Sequence, residues 1–335
     1  MFDPDKKGMP RMRFFPKVWH RWRAHACLVL ATALLVGAPF FFWGAPEYSA
    51  PRSTHEAWEL GHAFYFLLFT LWVYGCLRNR KSEPRTSFLS FCALFILVLA
   101  LGSAVEFMQM FVDGRSPDLG DVLRNQLGCL TAFAFCIRPR LFQARWQQLV
   151  LHVGVSILLA VAVWPLTRAL FDECAARLQF PVLADFETPF ECDRWHNPSQ
   201  LRLEREYVRH GRQAAQVQLS TDEYSGIFLV HFPRDWRGYQ TLHFSVYNPN
   251  PAPLPLHSRI HDNQHRKHDM EYQDRFNQTF TLAPEWNDLT ISLDKVKTAP
   301  RGRAMDMEHI EGFGLFVVRL PQPQALYLDH IYLDR

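Results

Sequence analysis

The chain has 335 residues and a formal net charge of +3, from 36 Lys and Arg against 33 Asp and Glu. That length allows two or three domains, and so small a basic excess excludes a nucleic-acid reading from charge. The mean hydropathy of −0.13 looks soluble, but it averages two unlike halves. Apolar runs dominate up to about residue 171, and from about residue 180 the chain is polar, aromatic and proline-punctuated.

Five stretches, 26–43, 61–77, 88–110, 122–137 and 149–171, are predicted to cross a membrane. A helix needs about 20 residues to span roughly 30 Å of hydrocarbon. The fourth stretch is short and opens with Asp121, Arg124, Asn125 and Gln126. One such run also suits a buried core helix; five in succession with basic residues in alternate gaps do not. The first is read as an uncleaved anchor, because it is long for a signal peptide and Pro51 follows the small-residue candidate at 48–50.

The gaps set an orientation. Lys6, Lys7, Arg11, Arg13, Lys17, Arg21 and Arg23 precede the first stretch. Arg78, Arg80, Lys81 and Arg85 follow the second, and Arg138, Arg140 and Arg145 follow the fourth. The remaining gaps are poor in Lys and Arg. Loops rich in these residues stay in the cytoplasm. The expected plan is a basic cytoplasmic tail (1–23), a five-helix membrane domain (24–173), a linker (174–184) and an extracytoplasmic domain (185–335).

Orientation gathers the polar residues of the apolar stretches. His62 begins the second, Glu106 and Gln109 end the third, Arg115 lies in the loop, and Asp121 and Asn125 open the fourth. All six are predicted at the outer face. Glu106 and Gln109 share a helix face, as do Asp121, Asn125 and Gly128. Gly128 allows close approach of another helix. Residues 113–117 are turn chemistry, which predicts a tight hairpin whose second helix is capped by Asp118 or Asp121. Intramembrane ionisable groups are costly and by default functional; the competing reading is a packing and salt-bridge cluster.

The pattern Glu106-x-x-Gln109, Arg115, Asp121-x-x-x-Asn125-x-x-Gly128, with His62 in Gly61-His62-Ala63-Phe64, resembles the VanZ-like membrane family over residues 26–138. Such proteins often carry a basic residue three positions before the histidine; here it is Glu59, which makes the site more acidic. The family is associated with low-level glycopeptide (teicoplanin) resistance. The resemblance therefore implies a cell-envelope role in a bacterial inner membrane, with the outer side as periplasm.

His62, Glu106 and Asp121 suit acid–base chemistry or a divalent metal, although no ligand-type spacing of histidines or cysteines supports a metal. Arg115, Gln109 and Asn125 offer donors to a phosphate or sugar headgroup whose lipid tail the helices accept. The favoured reading is binding of a membrane lipid or lipid-linked glycan. The alternative is a membrane enzyme on a lipid-linked saccharide, with Glu106 or Asp121 as acid/base and His62 as partner.

From residue 185 short alternating β-rich segments follow at 201–206, 214–219, 226–232, 241–247, 256–261, 278–282, 287–292, 312–318 and 326–333. Their turn-separated spacing predicts an all-β, two-sheet jelly roll. Residues 184–187, 235–239, 246–248 and 326–331 resemble galactose-binding-like, carbohydrate-binding-module-like jelly rolls. That resemblance implies a structural calcium, with Glu187 and Asp329 as candidate ligands; capping of strand ends is the competing role. His257, Arg259 and His261 alternate onto one strand face and, with Tyr272, are candidates to line a sugar groove for an envelope polysaccharide. Trp195, Trp236 and Trp286 read as core. Cys174 and Cys192 would lie outside, where a disulfide between them is allowed.

Overall fold

The computed structural model describes residues 16–47, 50–80, 88–112, 117–137, 144–196 and 200–335. It comprises two compact units, Met1–Pro46 with Ala57–Trp164, and Glu47–Glu56 with Pro165–Arg335. The last turns of the final long helix thus belong with the β unit.

The first unit is helical: α1 (Pro16–Gly37), α2 (Arg52–Arg80), α3 (Phe88–Gln109), α4 (Leu119–Thr131) and the first part of α5 (Arg145–Gln179). Proline cannot continue a helix and disfavours it in the preceding residue. Before Pro39, α1 accordingly gives way to a single 3-10 turn, Ala38–Phe41. α2 starts nine residues ahead of its apolar stretch. The polar turns holding His55, Glu56 and Glu59 are helical without being apolar, which hydropathy does not register. Among the described residues, three helices are long and apolar enough to cross a membrane, over Arg52–Leu77, Phe88–Gln109 and Arg145–Gln179. Of the other two expected spans, α1 is apolar over His25–Phe41. α4 has 13 residues, about 20 Å of helix, and continues as a π turn, Ala132–Ile137. Large apolar side chains such as Leu89, Ile96, Leu149, Ile157 and Val161 are exposed, as suits an apolar solvent.

Inside, Phe41, Phe66, Leu94, Val98, Cys129 and Phe133 form a small core. Gly128 is where α4 meets α2: a Cβ there would sit 2.1 Å from the Ala63 carbonyl oxygen. Gly102 on α3 likewise makes room for Asn125, whose Nδ2 would lie 2.6 Å from an added Cβ. The expected close approach at Gly128 is present, and it is α2 that approaches.

The second unit is a β-sandwich with short helical pieces. Its strands are β1 (Val182–Ala184), β2 (Trp195–His196), β3 (Leu201–Glu204), β4 (Ala214–Leu219), β5 (Tyr224–Leu229), β6 (Thr241–Asn248), β7 (Leu254–Asp262), β8 (Phe276–Leu282), β9 (Glu285–Ser292), β10 (Ile310–Val318) and β11 (Gln324–Asp334). One sheet runs β3-β4-β11-β6-β9 with β1 beside β11; the other runs β2-β5-β10-β7-β8. All recorded strand pairs are antiparallel. Leu229, Trp236, Leu242, Phe244, Ile260, Phe313 and Leu333 fill the space between the sheets. Each of the nine sequence segments overlaps a strand; β1 and β2 are too short to carry a pattern.

Two expectations change. Cys174 and Cys192 are free thiols: Cys174 is exposed on α5, while Cys192 packs against the sandwich core, and burial pushes its thiol up to about 11. Trp195 and Trp236 are core, but Trp286 lies outside it, beside Tyr247 with ring centroids 5.4 Å apart.

Candidate functional site

In the helical unit the polar residues meet where α3 ends and α4 begins, beside His62 about three turns into α2. Asp118 is the N-cap of α4, its Oδ1 accepting from the Gly120 N–H at 2.8 Å. Its own N–H donates to Glu106 Oε2 at 2.9 Å. Glu106 therefore closes the hairpin end across α3 and α4. His62, from α2, faces both partners on α4: Nε2 lies 3.3 Å from Asp121 Oδ2, and Nδ1 lies 3.2 Å from Asn125 Oδ1. Asp121 and Asn125 stand one helical turn apart, which is why one imidazole reaches both. Phe41 covers the ring edge-on at 4.8 Å. Gln109 donates to the Phe41 carbonyl at 2.8 Å and so fixes the turn after α1.

His62, Glu106, Gln109 and Asn125 are all buried. Sequence reasoning brought five of its six residues to one place; Arg115 lies outside the described residues. What it missed is the cation in the network. Arg124 pairs with Asp121 at 2.6 Å, with Asp118 at 3.5 Å and with Glu59. The acidic departure at Glu59 is thus met by a basic residue on α4. The three-residue spacing of Asp121 and Arg124 was the available signal.

The second place is the outward face of the sheet containing β7. His257, Arg259 and His261 lie there in alternation, opposite Phe316, Gly314 and Gly312 of β10. Two rings pack against glycines that have no side chain to hold them off: the Phe228 ring would meet a Cβ at Gly314 at 2.3 Å, and the His261 ring one at Gly312 at 2.6 Å. At Gly226 it is backbone that closes the space, the Leu315 carbonyl oxygen lying 2.1 Å from an added Cβ. The Arg259 guanidinium sits 4.0 Å above Phe228, and His257 stacks on Phe316 at 5.3 Å. Tyr224 and Tyr272 are exposed at the edge, with Arg275 5.2 Å from the Tyr272 ring.

Burial and the neighbouring Arg259 hold the His261 imidazole down at about 3, so it is a neutral polar surface at physiological pH. Of the sequence candidates, His257 and Arg259 are on the platform, His261 is sunk beside it and Tyr272 stands at its rim. Tyr224, Phe228 and Phe316 were missed. The signal was the pair Gly312 and Gly314, two positions apart in β10, which a core-facing reading of strands passes over.

The two calcium candidates anchor a loop. Glu187 Oε1 accepts from the N–H groups of Arg212 and Gln213. Asp329 Oδ2 accepts from those of Arg209 and His210 at 2.7 and 2.9 Å. Asp329 Oδ1 is buried without a hydrogen-bond partner, and burial raises that carboxyl. An orphaned buried oxygen fits a cation, so Asp329 keeps a donor for calcium while Glu187 is largely occupied.

Residues 12–143 match the family model described as VanZ/LLP1. The helical part carries a VanZ-like domain. No curated protein matches the chain. Among solved structures, the C-terminal β region is similar to a family 11 carbohydrate-binding module from Clostridium thermocellum in complex with a β-1,3-1,4-mixed-linked tetrasaccharide. That similarity is 13% identity over 46% of this chain and 94% of that one, with a TM-score of 0.34. It is also similar to an exo-β-agarase, at 14% identity over 46% of this chain and 24% of that one, with a TM-score of 0.36. In the VanZ-like domain the acidic and imidazole groups converge on α2, α3 and α4; the sandwich holds its own separate set of aromatic and basic groups.

Proposed function

We propose that the protein is a membrane-anchored glycan binder of the bacterial cell envelope. In this reading the Phe228–Phe316 platform receives a saccharide chain, and the polar cluster of the VanZ-like domain meets the headgroup of a membrane lipid or lipid-linked glycan. The observation that carries it is the outward aromatic face made by Phe228, packed on Gly314, and Phe316, with Arg259 over the first ring and His257 stacked on the second. Such a stacked aromatic and basic face offers sugars apolar contact beside hydroxyl partners on Arg259, His257 and Arg275. Around His62, the amide of Asn125 and the carboxylates suit hydroxyl or amine groups. Charge bias in the gaps supports a cytoplasmic N-terminus in the inner membrane and a periplasmic sandwich. Altered access of glycopeptide antibiotics to cell-wall precursors is the envelope role that the VanZ likeness suggests.

The test is titration of the full chain in detergent with a panel of neutral and acidic oligosaccharides and with peptidoglycan fragments. Arg259→Ala and Phe316→Ala are each expected to weaken binding about tenfold, the cost of one truncated hot-spot contact of ~1–2 kcal/mol. Chelating calcium is expected to weaken it further, through the loop that Asp329 holds. Equal affinity in both variants sinks the platform reading. The enzyme alternative has its own support, the pairing of buried His62 with half-buried Asp121. It requires that Glu106→Gln abolish turnover of a lipid-linked saccharide while lipid binding persists.

A further inference from the structure

We infer that His62, Glu106 and Asp121 form a binding site for one divalent transition-metal ion of the zinc–manganese class. Among the described residues these three make the one group of His, Cys, Asp and Glu whose donor atoms all lie within 4.8 Å of one another. They come from three different helices, so the convergence is made by tertiary packing.

Each member also has a neighbour that fixes its orientation, the usual arrangement around a metal-ligating side chain. The imidazole has Asn125 Oδ1 at Nδ1, which leads Nε2 towards Asp121. Glu106 holds the Asp118 N–H on Oε2. Asp121 holds Arg124 on Oδ1, at 2.6 Å. His62 Nε2 and Asp121 Oδ2 lie 3.3 Å apart, so one ion held between α2 and α4 can take both as donors. The described charges around the ring are the carboxylates of Glu59, Glu106, Asp118 and Asp121 against the guanidinium of Arg124. His62 and Glu106 are buried and Asp121 is half-buried, while Glu59 and Asp118 are more open to solvent; a buried carboxylate beside a second one is stabilised by a bound cation.

One imidazole and two carboxylates match the nitrogen–oxygen donor sets of zinc, manganese and iron. Calcium, which takes six to eight oxygens, is matched less well. Three protein donors leave a coordination position open. A water, or the phosphate or hydroxyl of a bound headgroup, would complete the sphere. The inference does not rest on the glycan platform, and failure of saccharide binding leaves it standing.

The test uses the full chain in detergent with a histidine-free affinity tag. After chelation and desalting it is reloaded with Zn2+ or Co2+, washed, and the retained metal is counted. One equivalent per chain is expected, with the Co2+ form showing visible d–d bands. Glu106→Gln and Asp121→Asn, which keep side-chain shape and the acceptor for the Asp118 N–H, should each remove the bands and lower affinity at least tenfold. Asn125→Ala, acting through the ring, should weaken binding about 10–100-fold. His268→Ala, in the sandwich, should change nothing. No retained metal overturns the proposal. So do bands that survive Glu106→Gln and Asp121→Asn in protein eluting as wild type, or metal lost with His268→Ala.

Discussion

At Gly128 a missing side chain is the structural fact: the Ala63 carbonyl oxygen occupies the space a Cβ would need. Gly128→Ala must push α2 and α4 apart and is expected to destabilise the helical unit by about 1–3 kcal/mol, read as a lower midpoint of detergent-solubilised unfolding; an unchanged midpoint refutes the packing. Asp274 shows charge at the same scale. The Arg303 guanidinium holds it at 2.6 and 2.7 Å and keeps its carboxyl at about 2, against an ordinary 3.8. The folded protein binds that proton less readily than the unfolded chain. The stability it contributes is therefore complete above about pH 4 and lost as pH falls towards 2. Thermal melts of the sandwich across this window should steepen in the native chain, and Asp274→Asn should flatten that part of the profile while lowering stability at neutral pH. An unaltered profile shows that another group titrates there.

Among elements, the end of α5 and the start of the sandwich are joined by one buried cation. Arg194 is fully buried and binds Asp172 at 2.9 Å, the Leu183 carbonyl at 2.9 Å and Gln179 at 3.3 Å. Arg194→Met leaves Asp172 buried with less compensation and is expected to cost about 3–5 kcal/mol. Hydrogen exchange should quicken in β1 and the last turns of α5; exchange confined to its native rate there overturns the tie. This link explains why those turns belong with the β unit although hydropathy assigns them to the fifth apolar stretch. The β11 bulge is similar in kind. Its register shifts between Asp329 and Tyr332, His330 adopts φ 47°, and the shift turns Asp329 inward towards the 209–210 amides. An alternating pattern cannot announce a bulge, because the extra residue is felt only through the partner strand.

For the whole molecule, the proposed orientation makes a direct prediction. Cys174 is exposed, so a membrane-impermeant maleimide should label it in intact spheroplasts, and protection until lysis would reverse the sandwich to the cytoplasm. The two units differ in how far their residues announced them. Apolar length and period-2 alternation are local properties, so the helices α2, α3 and α5 and nine of the strands were readable from the chain, whereas the division inside α5, between Trp164 and Pro165, was not. The grouping of His62, Glu106, Asp121 and Asn125 was also readable, because helix ends and charge bias place residues on one level. Which of them touch was not. Arg124 as the partner of Glu59, Gln109 turned to Phe41 and the free state of Cys174 and Cys192 depend on how helices and strands rotate against their neighbours. The packing of the His261 and Phe228 rings on Gly312 and Gly314 needed cross-strand register, which joins residues tens of positions apart. The sequence by itself determined which segments are apolar, which alternate and where rare charges stand, since these follow from each residue's own solvation and backbone preference. Only the tertiary structure decided which donors converge on one point, because that convergence is a property of packing between segments.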